Sequence, residues 1–205
     1  MVVTQFIHQL NNTELGRTGT HDCYTYVSKD SVQALSFLDL DSHYKFVYKR
    51  DLSVVGDLFY THTSTGEYRI SGCKRFYDAG NVNAGDCIVI ERVGDNFWVD
   101  FIKRNDVIVF NKFKNLWQCR NEDRLSRCLN KALQVYFNGK LGTLVVESKG
   151  DMKKRTQSIK VYSLVFDNSE ISYGDVYNLL CVGGKFCLTP YFKDKVTITD
   201  WSDHE

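Results

Sequence analysis

The sequence predicts a mainly β protein with short helices: a barrel-like first half, residues 1–110, joined to an α+β extension, residues 111–205. Three observations predict this. Short aromatic and β-branched runs alternate with polar residues; in His43 to Lys49, Tyr44, Phe46 and Tyr48 share one face of an extended chain. Polar and glycine-containing turns, such as Gly94-Asp95-Asn96, separate these runs at short intervals. In the second half, Leu125, Leu129, Ala132, Leu133 and Phe137 form an apolar stripe at helical spacing. Pro190 is the single proline, so no proline-rich linker separates the halves.

Taken in order, Asn11 to Thr20 reads as a loop with two glycines. Cys23 to Val27 reads as a strand, and Ser28 as the start of a short helix from Lys29 to about Phe37. Strands follow at His43 to Lys49, Val54 to Tyr60 and Glu67 to Ser71, then a helical turn at Arg75 to Asp78. The turn Asn81 to Asp86 feeds a strong apolar strand, Cys87 to Arg92, paired through a hairpin with Phe97 to Ile102; Val107 to Phe110 is one more strand. In the second half, Asn121 to Phe137 reads as a helix closed by Asn138-Gly139. Leu144 to Val146 and Ile159 to Phe166 read as strands flanking a basic loop, Lys149 to Arg155, and Val176 to Cys181 as a short helix. Phe186 to Leu188 and Lys195 to Ile198 read as short strands.

Composition narrows the function classes. An aromatic content of 14% argues for a packed chain rather than a disordered one. No apolar run is long enough to cross a bilayer and Met1 to Gln5 has no secretory pattern, so a cytoplasmic protein is expected. The seven cysteines lack a Cys-x-x-Cys pair and several sit in apolar runs, which predicts reduced, buried thiols and no metal site. The formal net charge is +1, but residues 1–110 carry 11 basic and 14 acidic side chains against 15 and 11 in residues 111–205. Any nucleic-acid contact in the first half must therefore come from a local patch, not from the overall field.

Such a patch exists: Arg69, Lys74 and Arg75 place three cations within seven residues. Arginine can fork to guanine O6 and N7, carboxylates can accept from cytosine N4, and lysines and hydroxyls can hold phosphate oxygens. The stretch Gly19 to Lys29 resembles the loop, first strand and helix start of the B3-like pseudobarrel DNA-binding domain, a family known from plant transcription factors and from recognition domains of certain restriction endonucleases. Asn83 to Glu91 resembles its Gly-Asp turn before an apolar strand, and Phe97 to Ile102 the strand that follows; the resemblance covers residues 16 to 104. Ser28 stands where the family usually has a proline.

The resemblance implies a B3-like DNA-binding pseudobarrel in residues 1–110, gripping the major groove with two arms. By position, Arg17, Thr18, Thr20, His21 and Asp22 would lie on or near the first arm, and Glu67, Tyr68, Arg69, Ser71, Lys74, Arg75 and Tyr77 on or near the second. Arg17 is the first choice for a groove contact. The implied function is sequence-specific binding of double-stranded DNA as the recognition domain of a restriction endonuclease, non-catalytic by itself. The expected partners are duplex DNA and a nuclease domain or subunit, with no membrane. No cofactor is expected for binding, and Mg²⁺ only with a nuclease domain. Tyr68, Phe76, Tyr77 and Trp98 are the aromatics that a reader of a flipped, modified base would use.

Two other readings stand beside this one. Glu147-Ser148-Lys149 after a strand resembles half of a PD-(D/E)xK nuclease site, in which two carboxylates hold Mg²⁺; no Asp lies between residues 138 and 143 to supply the other half. A protein-docking module is the second. The basic second half offers Lys112, Lys114, Arg120, Arg124, Arg127 and Lys131 around the expected helix. In the expected loop, Lys153, Lys154 and Arg155 are candidate phosphate contacts.

Overall fold

The computed structural model describes residues 2–19, 21–32, 35–182, 185–190 and 197–202. The chain divides into two compact units: Met1–Arg104 together with Lys193–Glu205, and Asn105–Phe192. The boundary expected at residue 110 thus falls inside a strand, and the C-terminal strand joins the first unit. Both units are built mainly from β-strands with few short helices.

The first unit contains β1 (Val2–Gln9), β2 (Tyr24–Val27), β3 (Ser42–Tyr48), β4 (Asp51–His62), β5 (Tyr68–Ser71), α1 (Lys74–Ala79), β6 (Cys87–Val93) and β7 (Asn96–Ile102). The C-terminal strand, β16 (Thr197–Ser202), pairs antiparallel with β1, and the barrel-like sheet runs β16-β1-β6-β7-β3-β4-β5-β2. Most neighbours are antiparallel; β3 and β7 are parallel, with Phe46 opposite Phe97. The alternation seen from Tyr44 to Tyr48 becomes β3, whose Phe46 and Tyr48 point into a core with Phe6, Leu58, Ile70, Phe76, Ile88 and Phe101. Burying such side chains supplies about 1.5–3 kcal/mol apiece before ordering costs.

Two elements of this unit differ from expectation. Where a helix is expected at 29–37, the described residues form a 3-10 turn at Lys29–Ser31 and return to 3-10 geometry at Leu35; residues 33 and 34 lie outside the described residues. Ser28 makes no side-chain cap bond and instead meets the Ser31 hydroxyl, and the backbone bonds Ser31 to Ser28, Leu35 to Val32 and Leu38 to Leu35 span three residues, the 3-10 spacing. Strand β1 carries no alternating signal because Gln5, Phe6, Ile7 and His8 are all buried. Its polar members are accommodated by partners: Gln5 donates to Glu91 on β6, and His8 meets Glu14.

The second unit comprises β8 (Ile108–Phe113), β9 (Leu116–Cys119), α2 (Glu122–Leu125), β10 (Ala132–Phe137), β11 (Lys140–Lys154), β12 (Gln157–Phe166), β13 (Ser169–Glu170), β14 (Val176–Val182) and β15 (Lys185–Pro190). The order β11-β10-β15-β14-β8-β9-β12 closes on itself through β11–β12 pairing, giving a seven-stranded barrel with β13 added beside β12. Trp117, Phe137 and Tyr177 interlock inside it, with Trp117 and Tyr177 ring centres 5.2 Å apart in an edge-on contact.

The expected α+β extension is therefore corrected to a β-barrel. Helix α2 is one turn, and Asn130, with φ 56°, takes the chain out of helical geometry. Ala132 to Phe137 then buries Val135 and Phe137 alternately, pairing with β11 and β15. Val176–Val182 is a strand held between β8 and β15, with Tyr177, Leu179 and Leu180 buried; a short, mostly apolar run of this kind reads alike as a strand or a short helix. The expected loop Lys149 to Arg155 is the end of β11 and its turn into β12. No helix among the described residues is long and apolar enough to cross a membrane.

Candidate nucleic-acid interface

The loop from Asn11 to Cys23 is closed at its base by one buried carboxylate. Asn11 Oδ1 accepts from the backbone N–H groups of Thr13 (2.9 Å) and Glu14 (3.1 Å), and Glu14 Oε2 accepts from the Asn11 N–H at 3.0 Å. This is the reciprocal arrangement of a capping box. Glu14 Oε1 also accepts from the Tyr26 N–H at 2.7 Å and lies 2.7 Å from His8 Nε2. Glu14 is 1% exposed, so it ties β1, β2 and the loop together away from solvent. Gly16 sits at φ +67°, and a Cβ there would lie 2.9 Å from the His21 carbonyl oxygen, so the loop closes around a residue without a side chain.

Beyond this base, Arg17 is exposed but anchored. Its Nη2 donates to the Val82 carbonyl at 3.0 Å, and Nη1 and Nη2 each reach Asn83 Oδ1 at 3.4 Å. The receiving turn is itself fixed by Asp86. Asp86 Oδ2 accepts from the Asn83 N–H at 2.9 Å and pairs with Lys103 at 3.1 Å, while Oδ1 accepts from the Arg104 N–H at 2.8 Å. The Gly-Asp turn thus holds the docking point of Arg17, with Gly85 at φ +92° making the bend. Thr18, His21 and Asp22 are exposed, and His21 has a left-handed backbone at φ 53°. Thr20 lies outside the described residues.

The second segment begins in β5, which pairs with β2 so that Tyr24 opposes Ser71 and Tyr26 opposes Arg69. The Arg69 guanidinium lies 4.1 Å from the Tyr24 ring centre, and its Nε donates to Glu67 Oε2 at 2.9 Å. Stacking plus a carboxylate partner fixes the plane of the fork. Tyr68 is half-buried and stacks on His62, ring centres 4.4 Å apart. Across Gly72, helix α1 presents exposed Lys74 and Arg75; Lys74 pairs with Asp78 at 2.8 Å.

Tyr77, on the same helix, is mostly inside the fold. It is 5% exposed, donates to the Tyr24 carbonyl at 2.9 Å and meets the Thr25 hydroxyl at 2.9 Å. Burial pushes its hydroxyl well above the ordinary range. Tyr77 is thus a strut of the fold whose remaining edge lines the hollow between the two segments, and Phe76 is core. The two sequence-predicted segments do meet: Arg17 and Cys23 from one, with Lys74 and Asp78 from the other, line a hollow of about 260 Å³ that Asn81 completes. Cys23 is half-buried there, its thiol raised first by burial and partly offset by the Lys74 charge; Cys73 beneath it is fully buried and pushed up to about 11.

In the second unit, Lys153, Lys154 and Arg155 are all exposed at the end of the β11–β12 hairpin. Lys154 Nζ donates to Gln118 Oε1 at 3.0 Å, and Arg155 occupies the turn at φ 57°. Glu147 and Lys149 pair with each other at 2.7 Å, and the Ser163 hydroxyl donates to Glu147 at 3.3 Å. The bond from Lys149 holds the Glu147 carboxyl below its ordinary range. Among the described residues no group of three or more His, Cys, Asp or Glu side chains is placed to hold a metal ion.

Glu14, Asp86 and Asn83 organise this surface and were not among the sequence-based candidates. The spacing Asn11-x-x-Glu14 carried the signal for the first of them; contacts from Arg17 to a turn 65 residues away leave none. No protein-family model matches the chain, and no curated protein matches it.

Proposed function

We propose that the first unit binds double-stranded DNA sequence-specifically through the major groove, as the recognition domain of a restriction endonuclease whose nuclease activity resides in a separate domain or subunit. The observation that carries the reading is the convergence of the Asn11–Cys23 loop and the β5–α1 segment on one hollow, with Arg17 and Lys74 at its rim. Arg69 and Arg75 extend the cationic surface, and Thr18, His21, Asp22, Glu67 and Ser71 supply hydroxyl, imidazole and carboxylate partners for base edges and phosphates. The arginines are held in defined orientations, Arg17 on the Val82 carbonyl and Arg69 on Glu67 and Tyr24, which lowers the ordering cost of recognition. The resemblance to the B3-like pseudobarrel supplies the groove and the restriction context.

The test is a titration of fluorescent duplex DNA with the full chain at low and moderate salt. Affinity that falls steeply as salt rises, and falls again when Arg69 is replaced by Lys, is expected, because lysine keeps the charge but not the fork. Equal affinity of the wild-type chain and Arg69→Lys for every duplex contradicts recognition by this arginine. No retention of duplex at low salt rejects the reading.

A further inference from the structure

The stretch that sequence reasoning treats as a basic loop is a two-stranded ribbon. Beyond Tyr162, which opposes Trp117 of β9, strand β12 pairs only with β11: Asp151 opposes Lys160, Met152 opposes Ile159, Lys153 opposes Ser158 and Lys154 opposes Gln157. A register shift between Ser148 and Asp151 sets this end off from the barrel wall. Directly opposed residues share a side, so Lys153, Ser158 and Lys160 lie on one side and Lys154 and Gln157 on the other. The second side turns toward β9, where Lys154 reaches Gln118; on the first, Lys153, Ser158 and Lys160 are exposed beside Asp151, with Lys160 paired to Glu122 of α2 at 3.5 Å. Arg155 and Thr156 cap the end. From Glu147 to Lys160 the ribbon carries five basic and two acidic side chains; Glu147 pairs with Lys149, and Asp151 stands opposite Lys160.

We propose that the tip of the β11–β12 ribbon is a second DNA-binding element that enters the major groove of a B-form duplex. The B-form major groove is about 12 Å wide and admits a two-stranded ribbon. Four paired positions at about 3.3 Å each give a reach of about 13 Å, beyond the groove depth of about 8.5 Å. Lys153, exposed beside the tip, suits a phosphate wall, and Arg155, Thr156 and Gln157 at the tip suit base edges. The contact between Lys154 and Gln118 braces the ribbon before binding. A-form RNA, whose major groove is deep and narrow, excludes this insertion. The inference stands on the second unit alone and does not depend on the reading of the first.

The experiment compares the full chain with Lys153→Ala/Arg155→Asn, in which asparagine keeps the left-handed turn, by anisotropy on labelled duplex DNA over a range of salt, with duplex RNA as competitor. Thermal melting checks that the variant folds. The expected result is an unchanged melting temperature, an affinity lower by about tenfold or more, and a salt slope reduced by up to about 2. Duplex RNA competes poorly. Identical affinity and slope for variant and wild type overturn the proposal, even where Arg69→Lys weakens binding. A loss confined to the ribbon variant supports it and counts against the first unit as reader. Competition by RNA as strong as by DNA makes the ribbon a general polyanion surface and overturns groove entry, as does a full chain that binds no duplex.

Discussion

A carboxylate that is 1% exposed and receives bonds from Asn11 and Tyr26 beside His8 leaves those donors stranded when it is removed. Glu14→Ala is therefore expected to lower the free energy of unfolding by about 3 kcal/mol, measured by urea denaturation; a change below about 0.5 kcal/mol would show that the loop does not depend on it. The buried thiols give a pH expectation. Burial raises Cys73 from an ordinary value of 9.0 to about 11, and Cys119 likewise to about 11, so the folded state holds these protons more tightly than the unfolded chain. That stabilisation is fully present below pH 9 and is lost as pH rises through about 11. Thermal midpoints should be flat in this respect up to pH 9 and fall beyond it, with Cys73→Ala flattening the fall; an identical alkaline decline in that variant would remove Cys73 as a cause. At this scale the sequence showed the cations and cysteines but not their partners. Arg17 looked like an unattached loop residue, whereas its guanidinium is anchored 65 positions downstream. Tyr77 stands beside Lys74 at the hollow, but its hydroxyl is tied to Thr25 and the Tyr24 carbonyl, partners that the sequence does not mark.

Elements were legible where alternation or turn residues marked them, and harder to read where neither did. The alternation of β3 could be read directly because polar residues on its open face mark the period, and β6, buried from Cys87 to Glu91, was marked by the Gly-Asp turn before it. Strand β14, held between β8 and β15, is apolar at every position but Asn178, and β1 buries glutamine and histidine with their partners. The helical stripe from Leu125 to Phe137 was real as a spacing but is divided at Asn130 between a one-turn helix and β10, where strand pairing on both sides overrides local preference. The link between β5 and α1 is the element-level test of the interface. Gly72 has φ +90°, and a Cβ there would run into the Asp57 carbonyl oxygen, so Gly72→Ala must displace either β4 or the start of α1. A destabilisation of about 1–3 kcal/mol in denaturation, together with weaker duplex binding from the shifted Lys74 and Arg75, is expected. Unchanged stability would mean that this junction yields freely.

For the whole molecule, the mainly β class followed from turns and alternation, but the division of the chain did not. A strand near the C-terminus that pairs with β1 is a contact between sequence ends, and neither segment carries a mark of its partner. Closure of the second sheet through β11–β12 was likewise hidden, because the pairing depends on register rather than composition. The same chain thus carries two separate cationic features, the hollow rimmed by Arg17 and Lys74 in the first unit and the ribbon tip in the second, which can be tested independently.

The measurement that bears most directly on the central claim is a selection of randomised duplex DNA by the full chain, with the bound molecules sequenced, repeated with Arg17→Ala and Arg69→Ala. The account predicts one short enriched motif for the wild-type chain, with preference at particular positions relaxed by about 1–3 kcal/mol in each variant. A bound pool as random as the input, or a motif unchanged in both variants, would contradict sequence-specific reading by the first unit.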